Sequence, residues 1–201
     1  MILYSEKDDH YSHRVRIVLA EKDIACEIRE TSNEEAPDEV LAINPYHCLP
    51  ILSDRDLGLY DTGVMLEYLD ERFPHPPLFP VYPVARAMSR LWIYRIRQDW
   101  CPLVDKLMAK SGTSAQLEKA RKELRSSLIS IAPIFEEKPY FMSDEFTIVD
   151  CCVTPILWRL SAMGIDLGKS KAVKSMLNYR ERLFERESVM ASLSDQEREL
   201  L

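Results

Sequence analysis

A chain of 201 residues, 46% hydrophobic and 29% charged, has room for one large or two small domains and the make-up of an ordinary globular protein, which argues against disorder. Its formal net charge of -7 argues against broad binding to nucleic-acid phosphates, an affinity that comes from clustered lysine and arginine, so direct DNA binding is not expected. No run approaches the roughly 20 apolar residues of a membrane span, and Met1-Ile2-Leu3-Tyr4 leads straight into polar residues without signal-peptide character; a cytoplasmic protein with no membrane partner is expected.

Ile2 to Tyr4 reads as a short apolar strand, and Ser12 precedes a helix through Val15, Val18 and Leu19 to about Lys22. Ile24, Cys26 and Ile28 alternate with polar residues as a second strand, and Pro37 to Ile43 is a short helix stopped by Asn44-Pro45. Leu49-Pro50-Ile51-Leu52 opens a third strand that turns at Asp54-Arg55-Asp56 into a fourth, Leu57 to Tyr60. Asp61 or Thr62 then caps a helix carrying Met65, Tyr68 and Leu69. The order is βαβαββα.

Five of the 12 prolines fall between Pro74 and Pro83, too closely spaced for a helix or a central strand, so this stretch reads as an extended, stiff spacer holding His75, Phe79 and Tyr82. Beyond it the chain is helical. Met88, Trp92, Ile96, Trp100, Leu103 and Leu107 mark one amphipathic helix from about Val84 to Lys110, kinked at Pro102. Leu117 to Ile131 marks another. Thr147-Ile148-Val149-Asp150 has the form of a capping box, with Asp in place of the commoner Glu, opening a buried helix through Leu160. A last helix covers about Lys171 to Arg186, and the charged tail from Ser192 is expected to fray. The domains so defined are 1–73, a linker 74–83, and 84–201.

Cys26, Cys48, Cys101, Cys151 and Cys152 are an odd set without a C-x-x-C pair, which fits reduced thiols. His10, His13, His47 and His75 have no spacing that suggests a metal site, and none is expected. Arg86, Arg90 and Arg97 fall within about 40° of one helix face, opposite the apolar stripe, and could form either a solvated exterior or a basic surface toward an acidic protein.

A βαβαββα half followed by an all-helical half, with N-P-x-x-x-x-P-x-L before the third strand and T-x-x-D opening an inner helix, resembles the cytosolic glutathione transferase fold, whose N-terminal half is thioredoxin-like. The resemblance puts Pro50 at the family's cis-proline, with the backbone of Leu49 where the cysteinyl part of glutathione binds, and Asp61-Thr62 where its γ-glutamyl part binds. The strings His10 to Lys22, Leu69-Asp70-Glu71-Arg72-Phe73-Pro74-His75-Pro76-Pro77-Leu78, Pro80 to Arg86, Asp144-Glu145-Phe146 and Val149-Asp150-Cys151 are similar, more narrowly, to the stringent starvation protein A family of RNA polymerase-associated regulators.

A transferase lowers the pKa of a bound thiol with a Ser or Tyr hydroxyl or a reactive Cys. Counted back from Arg14-Val15-Arg16, the activating position falls at Asp9, a carboxylate that would repel a thiolate. Tyr4, Ser5 and Ser12 are nearby hydroxyls that a shifted register could promote, and Cys48 lies two residues before Pro50. The narrower resemblance implies a non-catalytic regulator, without cofactor, that docks on the RNA polymerase holoenzyme near the sigma subunit through Pro74, His75, Pro76 and Tyr82, with the arginine face adjoining. The glutathione transferase resemblance implies a homodimer, and the helix from Val84, with more apolar positions than one core needs, points the same way. The alternative reading is a glutathione-dependent transferase or isomerase.

Overall fold

The computed structural model describes residues 1–200, which divide into two compact units. The first joins Met1–Pro77 to Glu187–Glu199, and the second runs from Leu78 to Arg186. This departs from the expected boundaries at both places: the proline stretch is shared between the units, and part of the tail belongs to the first.

In the first unit β1 (Ile2–Ser5), β2 (Glu27–Glu30), β3 (Ile51–Asp54) and β4 (Leu57–Leu59) form a sheet in the order β2-β1-β3-β4. β1 runs parallel to β2 and antiparallel to β3. Leu3, at the centre, is paired with Ile28 on one side and Leu52 on the other. β2 starts later than the alternation suggested, because the Ile24 N–H turns back to the Leu19 carbonyl at 2.9 Å and Asp23 takes a left-handed conformation with φ 49°. As an edge strand its four residues stay exposed. Helices α1 (His10–Glu21) and α3 (Thr62–Arg72) pack together, burying Val15, Val18, Met65 and Leu69, while α2 is the single turn Asp38–Leu41.

The second unit holds α4 (Pro83–Arg95), α5 (Cys101–Met108), α6 (Ser114–Ser130), α7 (Ile134–Glu137), α8 (Ile148–Trp158) and α9 (Lys174–Phe184). The single helix expected from Val84 to Lys110 is interrupted by a π-turn at Ile96–Trp100, closed by the Cys101 N–H on the Ile96 carbonyl. Pro102 supplies the reason: it has no N–H and its ring crowds the preceding turn, which a widened turn relieves. α8 is buried along its whole length. The Asp150 carboxylate accepts from the Thr147 N–H at 2.7 Å and its hydroxyl at 2.8 Å, the Phe141 N–H at 2.9 Å and the Tyr179 hydroxyl at 2.7 Å. The capping motif expected at Thr147 is therefore present, and Asp150 also ties α8 to α9.

The described part of the tail is folded, against the expected fraying, and Leu201 lies outside the described residues. Residues Glu187–Ala191 (α10) and Asp195–Arg198 (α11) return to the first unit, where α10 packs on α1. Ser194 caps α11, and the fully buried Glu197 pairs with Arg16 at 2.5 Å and approaches His13 Nδ1 at 3.3 Å. A charged sequence reads as solvated, but this carboxylate has a buried guanidinium to meet it. Among the described residues no helix is long and apolar enough to cross a membrane.

Candidate functional site

The positions that would serve glutathione lie in the first unit. Asp9 is the N-cap of α1, one residue before the helix begins, so Ser12 lies inside the helix and does not precede it. Its carboxylate accepts from the Tyr11 N–H at 3.1 Å and the Ser12 N–H at 2.6 Å, so it stabilises the positive end of the helix. Burial first, then the carboxylates of Asp9, Glu34 and Asp8, push the neighbouring Glu6 carboxyl above its usual range. That environment is hostile to a thiolate.

The alternative hydroxyls are held by the fold. Ser5 and Ser12 are fully buried. Ser5 Oγ accepts from Arg16 Nη1 at 2.5 Å, Ser12 Oγ accepts the Glu6 N–H at 3.1 Å, and the Tyr4 hydroxyl meets Arg29 at 3.2 Å. The Leu49–Pro50 peptide is cis, and the Leu49 N–H donates to Asn33 Oδ1 at 2.9 Å. The backbone donor where the resemblance places a cysteinyl group is thus already satisfied by the Asn33 side chain, which no sequence motif marks. Asp61 caps α3, accepting from the Val64 N–H at 3.1 Å, with Thr62 behind it. The Cys48 carbonyl and sulfur both accept from Asn44 Nδ2, at 2.7 and 3.2 Å. Among the described residues no group of three or more potential metal ligands occurs.

The residues assigned to docking divide between the units. Pro74, His75 and Pro76 end the first, all exposed, with the His75–Pro76 peptide cis. Their backbone is gripped from inside. Lys22 Nζ donates to the Phe73 carbonyl and the Pro76 carbonyl, both at 2.6 Å, and pairs with Asp70 at 2.8 Å. No local signal marked Lys22, since a lysine in the last turn of a helix ordinarily faces water.

Tyr82 opens the second unit's first helix as the N-cap of α4 and is 79% exposed. Phe79, on the same stiff stretch as His75 and Tyr82, is 3% exposed, and the guanidinium carbons of Arg86 and Arg90 lie 4.9 and 5.7 Å from its ring centroid. These two arginines cover an apolar ring with planar cations, a favourable contact at a half-wet site. Arg97 falls inside the π-turn, where regular helical spacing no longer fixes its direction relative to the other two.

Residues 3–77 match the glutathione S-transferase N-terminal domain family and residues 91–187 the C-terminal domain family. The ternary complex of BphK, a bacterial glutathione S-transferase, superimposes with a TM-score of 0.85 at 21% identity, over 96% of this chain and 98% of that one. The fold is therefore that of a glutathione S-transferase, a thioredoxin-like domain followed by a helical one. The stringent starvation protein A homolog of Pasteurella multocida is 51% identical over 195 residues, 96% of this chain and 90% of that protein. The homolog of Coxiella burnetii is 48% identical over 200 residues, 100% of this chain and 94% of that protein. The chain belongs to the stringent starvation protein A family.

Proposed function

We propose that this protein is a stress or stationary-phase transcription regulator that docks on the RNA polymerase holoenzyme, near the sigma subunit, and acts by protein contact without catalysis. The observation that carries this reading is the exposed Pro74-His75-Pro76 element on a backbone tied down by a buried cation. An imidazole between rigid residues offers apolar area and polar handles at small entropic cost, which suits a protein groove. The exposed Tyr82, six residues beyond Pro76 in the chain, supplies a second anchor, with Arg86 and Arg90 following along α4.

The absence of catalysis is supported by the glutathione positions. Asp9 is engaged as a cap, the Leu49 N–H is engaged by Asn33, and Ser5 and Ser12 are buried. No conjugation of glutathione to a standard electrophile above the uncatalysed rate, and no retention on a glutathione resin, are expected. Turnover that disappears on replacing Tyr4 or Ser5 would favour the transferase reading instead.

A homodimer belongs to the same proposal. On the first unit Leu57, Tyr60 and Val64 are exposed beside Asp61, Glu67 and Glu71, which line an open groove with Tyr68. On α4 of the second unit Val84, Met88, Leu91 and Tyr94 are exposed on the helix that ends at Arg95. Apolar faces of opposite charge suit pairing between two copies. Sedimentation should find about twice 23.4 kDa at micromolar concentration.

The deciding experiment replaces Pro74, His75 and Pro76 together by alanine. The Phe73 and residue-76 carbonyls remain for Lys22, so thermal unfolding should change little, by about 1 kcal/mol. Polymerase co-purification should fall by roughly 30-fold, the effect of removing a central anchor. Normal binding by the folded variant would exclude docking through this element.

A further inference from the structure

Three of the residues from Pro74 to Pro77 are prolines, at positions 74, 76 and 77, and bring no N–H. Such a segment has one backbone N–H, that of His75, to donate; what can be held at several points are its carbonyls, by a donor from elsewhere. Lys22 is that donor. It stands at the C-cap of α1, its side chain fully buried, and its ammonium has three protons. Three acceptors meet it: the Phe73 carbonyl immediately before Pro74, the Pro76 carbonyl, and Asp70 Oδ1 in the last turns of α3. One cation therefore fixes the chain on both sides of Pro74-His75, and the Asp70 carboxylate compensates its charge.

Burying an ammonium is costly unless every proton finds a partner, and a methionine or leucine in its place would fill the space without that cost. What an apolar side chain could not do is hold two carbonyls of a proline-rich loop at fixed positions. We propose that Lys22 is a positioning residue of the docking surface, fixing the backbone around Pro74-His75-Pro76 so that the exposed imidazole meets the polymerase in one orientation. This rests on the docking reading given above, whereas the clamp itself can be judged without it.

The test uses the full chain, uniformly labelled with 13C and 15N. In the unmodified protein the Lys22 ammonium protons should exchange far more slowly than those of exposed lysines, and should show scalar coupling to the carbonyl carbons of Phe73 and Pro76. Rapid exchange without coupling would overturn the clamp. The double variant K22M/D70L removes both buried charges together. In it the His75 ring signal, identified by its loss in H75Q, should broaden or split while those of His10, His13 and His47 stay in place, and polymerase affinity should fall about tenfold. A merely structural lysine would shift all four histidines or none. An unmoved His75 signal with unchanged polymerase binding would reject the positioning role, and should the double variant fail to fold, the ammonium measurement on the unmodified chain decides. If P74A/H75A/P76A binds polymerase normally, the docking reading falls, and the clamp stands or falls on the nuclear magnetic resonance data alone.

Discussion

Arg16 and Glu197, 181 positions apart in the chain, meet side chain to side chain at 2.5 Å with 3% and 0% exposure. The guanidinium also reaches the Ser192 carbonyl at 2.8 Å and the Ser5 hydroxyl, while Ser192 Oγ meets His13 Nε2 at 3.1 Å. The two ends of the chain are thereby joined through one buried polar network.

Removing one partner of that network leaves the other charge buried and uncompensated. Glu197→Met should cost about 3–5 kcal/mol, and the combined Arg16→Met/Glu197→Met variant should recover a large part of the loss. Urea unfolding of the two variants reads the difference, which should persist at 1 M salt because buried pairs are weakly screened. A loss that salt abolishes would mean the pair is open to water.

Asp9→Ala should destabilise the protein by about 1 kcal/mol, whereas Asp9→Ser, which keeps an oxygen for the helix N-terminus, should change stability by only a few tenths. Neither should acquire glutathione turnover, since the introduced hydroxyl faces the same Tyr11 and Ser12 N–H groups and the Leu49 N–H stays with Asn33. Thermal unfolding and a conjugation assay on both variants check this together.

At Asp150 four donors converge on one fully buried carboxylate. Asp150→Ala strands several of them and should cost about 3 kcal/mol or more, while Tyr179→Phe, which removes a single donor, should cost about 1–2 kcal/mol. Denaturant titration ranks the two. Equal effects would mean that the Tyr179 hydroxyl carries the whole network.

Tyr68 donates to Asp54 at 2.6 Å, and Arg72 pairs with the same carboxylate at 3.1 Å. The Tyr68 hydrogen bond, helped by the Arg72 charge, holds the Asp54 carboxyl below its ordinary 3.8, and the same hydrogen bond lifts Tyr68 above its ordinary 10.0. A depressed carboxylate contributes stability that is present above 3.8 and lost as pH falls through the lower folded value; a raised phenol contributes below 10.0 and loses it as pH rises through the higher one. The cost of Tyr68→Phe should therefore be level between about pH 5 and 9 and shrink on either side. Unfolding series at several pH values test this, and a cost that grows in acid would contradict it.

Local signals carried much of the fold. The alternation and spacing of apolar residues located the sheet and helices, Asp61 and Thr147 marked their caps by residue type, and Pro102 marked the break in the long helix. What stayed hidden depends on distant partners. Nothing near Glu197 announces that Arg16 awaits it, nothing near Lys22 announces two proline-loop carbonyls, and Asn33 gives no sign of reaching Leu49. The cover over Phe79 was hidden in the same way, because the arginines that face its ring stand seven and eleven positions further along the chain.

The first unit is made from both ends of the polypeptide, with more than a hundred residues between them. On a ribosome moving at about 5–20 residues per second, Arg16 and His13 emerge roughly 10 to 35 seconds before Glu197 can reach them. For that interval a guanidinium destined for the interior has no carboxylate, and the sheet has emerged without the segment that secures α1. Leu78–Arg186 emerges within that interval and can begin to fold before Glu197 appears. The first unit is thus started before the helical segment and completed after it, and a chain that stalls before Glu187 would leave the first unit open to chaperones.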